Sequence, residues 1–154
     1  MTEYRNNPKI WEATCYQLLD TLLVMEKGIL SSSDREIHSA RLSAMMIAGF
    51  AFENAFKSWY LKEQKGILYD EEGKQKGFSS HAFTTWVAQH RIELLGWESE
   101  ALDKSEFICV AWGRYPAHNR NEKERKHETW GMGDVDQLRN LIGRLLDRTV
   151  TYKK

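Results

Sequence analysis

The sequence predicts an all-α fold, a bundle of about five helices, and three observations predict it. Apolar residues recur at three- and four-residue spacing through most of the chain. Capping side chains open these stretches and glycine or proline closes them. No stretch alternates apolar and polar residues between turn signals, as a half-buried strand would.

Asn7-Pro8 starts the first helix, because a capping amide is followed by a residue whose missing N–H costs nothing in a first turn. Trp11, Cys15, Leu18, Leu19 and Leu22 form its apolar stripe, and Gly28 is its stop. Ser33-Asp-Arg-Glu36 reads as a capping box for a second helix that runs to about Gly66. Between Leu42 and Phe56 that helix is apolar nearly all round, with Glu53 as its single charge, so it should be central. Gly66 to Ser80 has the glycines and mixed charges of a long, mobile surface loop. A third helix, capped by Ser80 and ending at Gly96, would place Phe83, Trp86, Val87 and Leu94 on one face. A fourth begins near Ser99, turns Leu102, Ile108, Cys109 and Trp112 to the core, and is cut by Pro116. After Gly131 and Gly133, Asp134-Val-Asp-Gln137 caps a last helix carrying Leu138, Leu141, Ile142 and Leu145, and the tail from Thr151 to Lys154 should fray.

With 154 residues, the chain suits one domain that can bury a core without metals or disulfides. Its 22 basic and 22 acidic residues cancel, so attraction to nucleic acid or an anionic membrane must be local. Cys15 and Cys109 lie in apolar stretches of different helices and read as buried thiols of a reducing compartment. A disulfide between them is the alternative. The polar N-terminus lacks the core of a signal peptide, and no apolar run reaches the roughly 18 residues of a membrane span, so a cytoplasmic location is expected. Scattered histidines and the lack of HExxH or Cys/His spacing predict no metal, and no glycine-rich nucleotide motif predicts a cofactor.

Chemistry is concentrated between Trp112 and His127. From Arg114 to His127 there are five Arg or Lys and two Glu, a local excess of +3 in a neutral protein. A histidine near its free pKa of about 6.5 can move protons at neutral pH, and an arginine offers a fork of donors to phosphate. Arg114, His118, Arg120 and His127 could therefore cleave RNA without a metal: one histidine helps the ribose 2′-hydroxyl attack phosphorus while arginine stabilises the growing charge. A solvated charged loop between helices accounts for the same residues without chemistry. Glu53 needs a partner in its apolar surroundings, and Lys57, one turn on, is the obvious one; a role in orienting a catalytic Arg or His is the alternative. His81 reads as a helix-start hydrogen-bonding residue, His38 and His90 as structural or surface. The tryptophans and Tyr60 read as core and dimer surface rather than stacking platforms.

Three segments in order resemble the HEPN (higher eukaryotes and prokaryotes nucleotide-binding) domain family. Ala48-Gly-Phe-Ala-Phe-Glu53-Asn-Ala-Phe-Lys57-Ser-Trp-Tyr-Leu61 resembles its second helix; Ser80-His81-Ala-Phe83 to Leu94-Leu-Gly96 resembles its His-Asp-Leu helix; and Gly113-Arg114-Tyr115-Pro116 resembles its Arg-Tyr-Pro helix end. Together they cover about Ser33 to Asn119. The resemblance implies an up-and-down helical bundle, often dimeric. Many members are metal-independent endoribonucleases of toxin–antitoxin, phage-defence or RNA-processing systems, and others bind nucleotides or accompany nucleotidyltransferases.

Nuclease members share an arginine, usually followed by a polar residue, with a histidine after four to six intervening residues. Arg114 and His118 have only three residues between them, and Tyr-Pro follows Arg114; Arg120 is followed by Asn121 and has six residues before His127. Arg120 and His127 are therefore the expected catalytic pair, with Arg114, His118 and Glu53 beside them. Asn119, Asn121, Tyr115, Lys57 and Lys123 are the expected contacts to RNA or nucleotide. A homodimer and a cognate antitoxin or nucleotidyltransferase partner are expected with them.

Overall fold

The computed structural model describes residues 2–29, 34–78, 81–112 and 131–151; the side chains of residues 34–36, 38, 39, 111 and 112 are outside that description. Among the described residues the regular structure is helical: α1 (Thr2–Arg5), α2 (Pro8–Ile29), α3 (Asp34–Glu63), α4 (Phe83–Gln89), α5 (Glu98–Phe107), continued by a π-helical turn (Ile108–Trp112), and α6 (Met132–Leu146). The all-α expectation holds, with one short helix more than the periodicity gave. That helix, α1, has no apolar stripe to reveal it. Trp11 closes it by donating its indole N–H to the Arg5 carbonyl (2.8 Å).

α2 begins where the sequence places it: the Asn7 side chain accepts from the Lys9 amide (3.0 Å), capping a helix with proline first. Its stripe, Cys15 and Leu22 fully buried with Leu18 and Leu19 behind them, lies against α3. The 30-residue α3 also packs on α6, α5 and the π turn, so it is the central helix. The Ser33 to Glu36 capping box and the Pro116 stop lie outside the described residues or side chains, whereas α4 begins at Phe83 with Ala82, not Ser80, in the capping position and no side-chain cap.

Gly49 sets how closely α5 can approach α3. A Cβ there would stand 2.3 Å from Ser105 Oγ and 2.6 Å from Cys109 Sγ. The two side chains instead donate to the α3 carbonyls of Met45 (3.3 Å) and Met46 (3.6 Å). Cys15 and Cys109 are not bonded to each other, so the disulfide alternative is not realised. Burial, with a contribution from the Glu12 charge, pushes the Cys15 thiol up to about 12, which makes it inert at neutral pH.

Three local expectations are corrected. The third helix ends at Gln89, not Gly96, and Leu94 lies beyond it. Arg91 adopts left-handed backbone angles, Ile92 bonds back to Val87, and the chain then extends so that the Glu93 amide donates to Thr151 (2.8 Å). Thr151 is accordingly held rather than frayed, its hydroxyl donating to Glu93 (2.8 Å), and Val150 is buried. The last helix starts at Met132, because extended Gly131 takes the capping position and Asp134, three residues in, accepts its amide (2.9 Å). Lys104 of α5 reaches the same carboxylate (3.1 Å); burial opposes its charge, but hydrogen bonds to Glu100 and Asp134 outweigh that and hold its pKa above the usual lysine value.

The loop after α3 is largely exposed, yet it is stitched to the N-terminus. Asn6 accepts from the amides of Leu68 and Tyr69 (2.9 and 3.0 Å) and donates to the Tyr69 carbonyl (2.7 Å). At its far end Phe78 joins an aromatic cluster with Phe56, Tyr60, Trp86 and His90. His90 is thus structural and half-buried, against Phe56, Trp59, Tyr60 and Phe78.

Burial holds the His90 pKa below its ordinary value of 6.5. The folded state therefore favours the neutral ring, and its contribution to stability is present above pH 6.5 and lost as pH falls toward the lowered folded value. The urea midpoint should fall between pH 7.5 and 5.5 by more in the wild type than in His90→Gln. Equal slopes would remove His90 from the pH response.

Candidate functional site

The expected residues Arg114, Tyr115, His118, Asn119, Arg120, Asn121, Lys123 and His127 lie outside the described residues. Glu53 and Lys57 lie within them, on the best-packed length of α3. Gly49, Glu53 and Lys57 follow at four-residue spacing, so they line one side of the helix. Glu53 is therefore one turn beyond the place where α5 crosses α3, and the continuation of α5 leads through Trp112 toward Arg114.

Glu53 is held from both sides. Its Oε1 accepts from Lys57 Nζ at 2.6 Å, the i,i+4 pair that the sequence suggests. Its Oε2 stands 2.7 Å from His81 Nδ1, a partner 28 residues away. A carboxylate oxygen accepts, so Nδ1 is the donor; in the neutral ring this makes Nε2 the acceptor. The His81 ring is braced edge-on by Phe50 (centroids 5.8 Å apart) and Phe83 (6.0 Å).

Lys57 is 5% exposed. Its ammonium also lies 4.5 Å from the centroid of the Trp11 ring, whose negative face attracts a cation. The cluster thus joins α2, α3 and the segment leading into α4. Glu53 takes one of the three N–H donors of Lys57, and the direct effect of Lys57 in this geometry is to hold that carboxylate.

Sequence reasoning found the Glu53–Lys57 pair because the two residues are neighbours on a helix. It missed His81 as the second partner and Trp11 as the ring over Lys57. The available signal was general: a charge within an apolar belt needs more than one polar contact. The aromatic expectations divide in the structure. Trp59 and Trp86 are core, Tyr60 is half-buried, and Trp97 is 70% exposed. The Trp112 side chain lies outside the description.

Among the described residues, surface cavities occur elsewhere. One of about 490 Å³ lies between α4 and α5 over Val87, Ile92 and Ser99. Another of about 670 Å³ lies over Tyr60, Ile67 and Tyr69. Among the described residues no group of three or more His, Cys, Asp or Glu side chains is arranged to hold a metal ion. Nor is any helix among them long and apolar enough to cross a membrane. No family model, curated protein or solved structure matches the chain.

Proposed function

We propose that the protein is a metal-independent endoribonuclease of HEPN type, built as an up-and-down bundle and serving a toxin, phage-defence or RNA-processing role. The observation that carries this reading is the Glu53 cluster. A carboxylate, an ammonium and an imidazole meet within 2.6–2.7 Å on the helix that bears the family resemblance. They stand one turn from the crossing of the helix that leads to the Arg/His stretch.

In the proposal Arg120 and His127 act on the phosphodiester, with Arg114 and His118 nearby and Glu53 orienting the basic groups. Asn119, Asn121, Tyr115 and Lys123 contact the RNA, and Lys57 acts through Glu53. Arginine offsets the charge that develops on the phosphoryl oxygens, and a positioned histidine supplies proton transfer worth about 10²–10⁴-fold. The protein pairs as a homodimer, and Tyr16, Leu23 and Val24, exposed along one side of α2, supply apolar surface for it.

Purified protein incubated with RNA and EDTA should cleave it, and Arg120→Ala and His127→Ala should each abolish cleavage. The same preparation should show twice the chain mass in light scattering. Cleavage that survives both substitutions but is lost in His118→Ala would replace the pair; no cleavage by the wild type would remove the activity.

The second reading is a non-catalytic module that binds a nucleotide, an RNA or a nucleotidyltransferase-like partner or antitoxin. The observation favouring it is that both Glu53 oxygens and the Lys57 ammonium are satisfied inside the protein, as in a structural clasp. Saturable RNA or nucleotide binding without cleavage would support it.

A further inference from the structure

We propose that the cavity between the N-terminal segment and the loop after α3 binds a small aromatic molecule of no net charge, the chemistry shared by a nucleoside and a free aromatic amino acid. This goes beyond the RNA-cleaving reading and uses none of its residues. The cavity measures about 670 Å³, inside the range of about 300–1,000 Å³ in which small-molecule sites fall. Tyr60, Ile67 and Tyr69 supply its apolar surface, and Lys65, Asp70, Glu71 and Lys76 also line it. Apolar and aromatic surface with a few charged groups is the pattern by which such sites hold a ring and orient it.

The walls are fixed by the fold itself. Tyr60 belongs to the aromatic cluster at the end of α3, edge-on to Phe78 (centroids 4.8 Å apart) and His90 (5.3 Å). The chain then turns so tightly against it that a Cβ on Gly66 would lie 2.0 Å from the Tyr60 ring. Lys65 takes part in that turn with left-handed backbone angles (φ 48°), which a non-glycine residue keeps only where its surroundings impose them. Tyr69 is anchored twice: Asn6 binds its amide and its carbonyl, and the Arg5 guanidinium lies 5.1 Å from its ring centroid. Backbone bonds from Lys76 to Leu68 (2.7 Å) and from Asp70 to Lys74 (3.0 Å) close the segment on itself. Ile67 is nonetheless 60% exposed, so a ring entering the cavity has apolar surface to cover.

The charges narrow the ligand. Lys76 and Asp70 stand 3.5 Å apart as a pair, which leaves Lys65 and Glu71, one of each sign, with no ion pair among the described residues. A phosphate would meet as many carboxylates as ammonium groups in the lining, with no net attraction. A ring without net charge keeps the gain from covering Tyr60, Ile67 and Tyr69. Lys65 and Glu71 then offer one donor and one acceptor to its polar groups.

Calorimetric titration of the whole chain with adenosine, L-tryptophan and AMP tests the proposal. Adenosine, L-tryptophan or both should bind one to one, and whichever binds names the source of the ring. AMP should bind no more tightly than adenosine. Ile67→Glu, at an exposed side chain, should weaken binding about tenfold or more, with circular dichroism verifying the fold. The proposal is overturned if neither adenosine nor L-tryptophan saturates a site at millimolar concentration, if AMP binds more tightly than adenosine, or if Ile67→Glu leaves the affinity unchanged. Should that variant fail to fold, amide shifts in the wild-type ¹⁵N–¹H spectrum decide: shifts on ligand addition centred on Ile67 and Tyr69 support the site, and shifts centred elsewhere overturn it. RNA cleavage enters none of these readouts, so their failure leaves the nuclease reading intact.

Discussion

Phe56→Ala is expected to cost about 3–5 kcal/mol of stability, the range for removing a buried phenyl ring from a core. Its ring is fully buried and meets five others, those of Phe52, Trp59, Phe78, Trp86 and His90, with centroids 5.3–5.8 Å apart. These partners come from α3 itself, from α4 and its end, and from the loop before α4. The void left by alanine would therefore be walled by three separately anchored segments, which limits collapse into it. At about 2–4 °C per kcal/mol for a domain of this size, the melting temperature should fall accordingly. Urea denaturation of wild type and variant measures the loss, and a difference below about 1 kcal/mol would show that Phe56 is not the centre of this cluster.

Phe56 also marks what the sequence could and could not convey. Its burial follows from the apolar belt between Leu42 and Phe56, because a helix apolar on several sides has to be enclosed. That Phe78 covers one side of it does not follow, since Phe78 belongs to a stretch whose glycines and charges signal a surface loop. The same division runs through the fold. The start of α2 was legible because Asn7 and Pro8 act on the adjacent turn. The end of α4 was not, since it is fixed by a pairing between Glu93 and Thr151, 58 residues apart. In the candidate site the i,i+4 geometry exposed Glu53 and Lys57, whereas His81 and Trp11 are brought to them by tertiary packing that spacing does not encode. The chemistry expected of the Arg114–His127 stretch falls outside the described residues.

Glu53→Ala should cost about 3 kcal/mol, the low end of the range for breaking a buried ion pair from one side. It would leave Lys57, whose side chain is 6% exposed, with the Trp11 ring but without its carboxylate, and His81 without its acceptor. The cation–π contact, worth about 0.5–2 kcal/mol, survives and Glu53 is not fully sealed, and both facts pull the figure down from the upper end. Lys57→Met should cost less, since Glu53 keeps His81. The double variant Glu53→Leu/Lys57→Met removes both charges and replaces them with apolar groups of similar volume, so it should recover most of the loss. Measured by urea denaturation as a double-mutant cycle, a double variant no more stable than Glu53→Ala would show that the two residues do not act as a pair. The cycle also separates the two readings of the site. If the cluster only clasps α3 to its neighbours, the stable double variant keeps whatever RNA cleavage the wild type has. If Glu53 positions a proton-transfer group, the double variant regains stability and stays inactive, a dissociation that a clasp cannot produce.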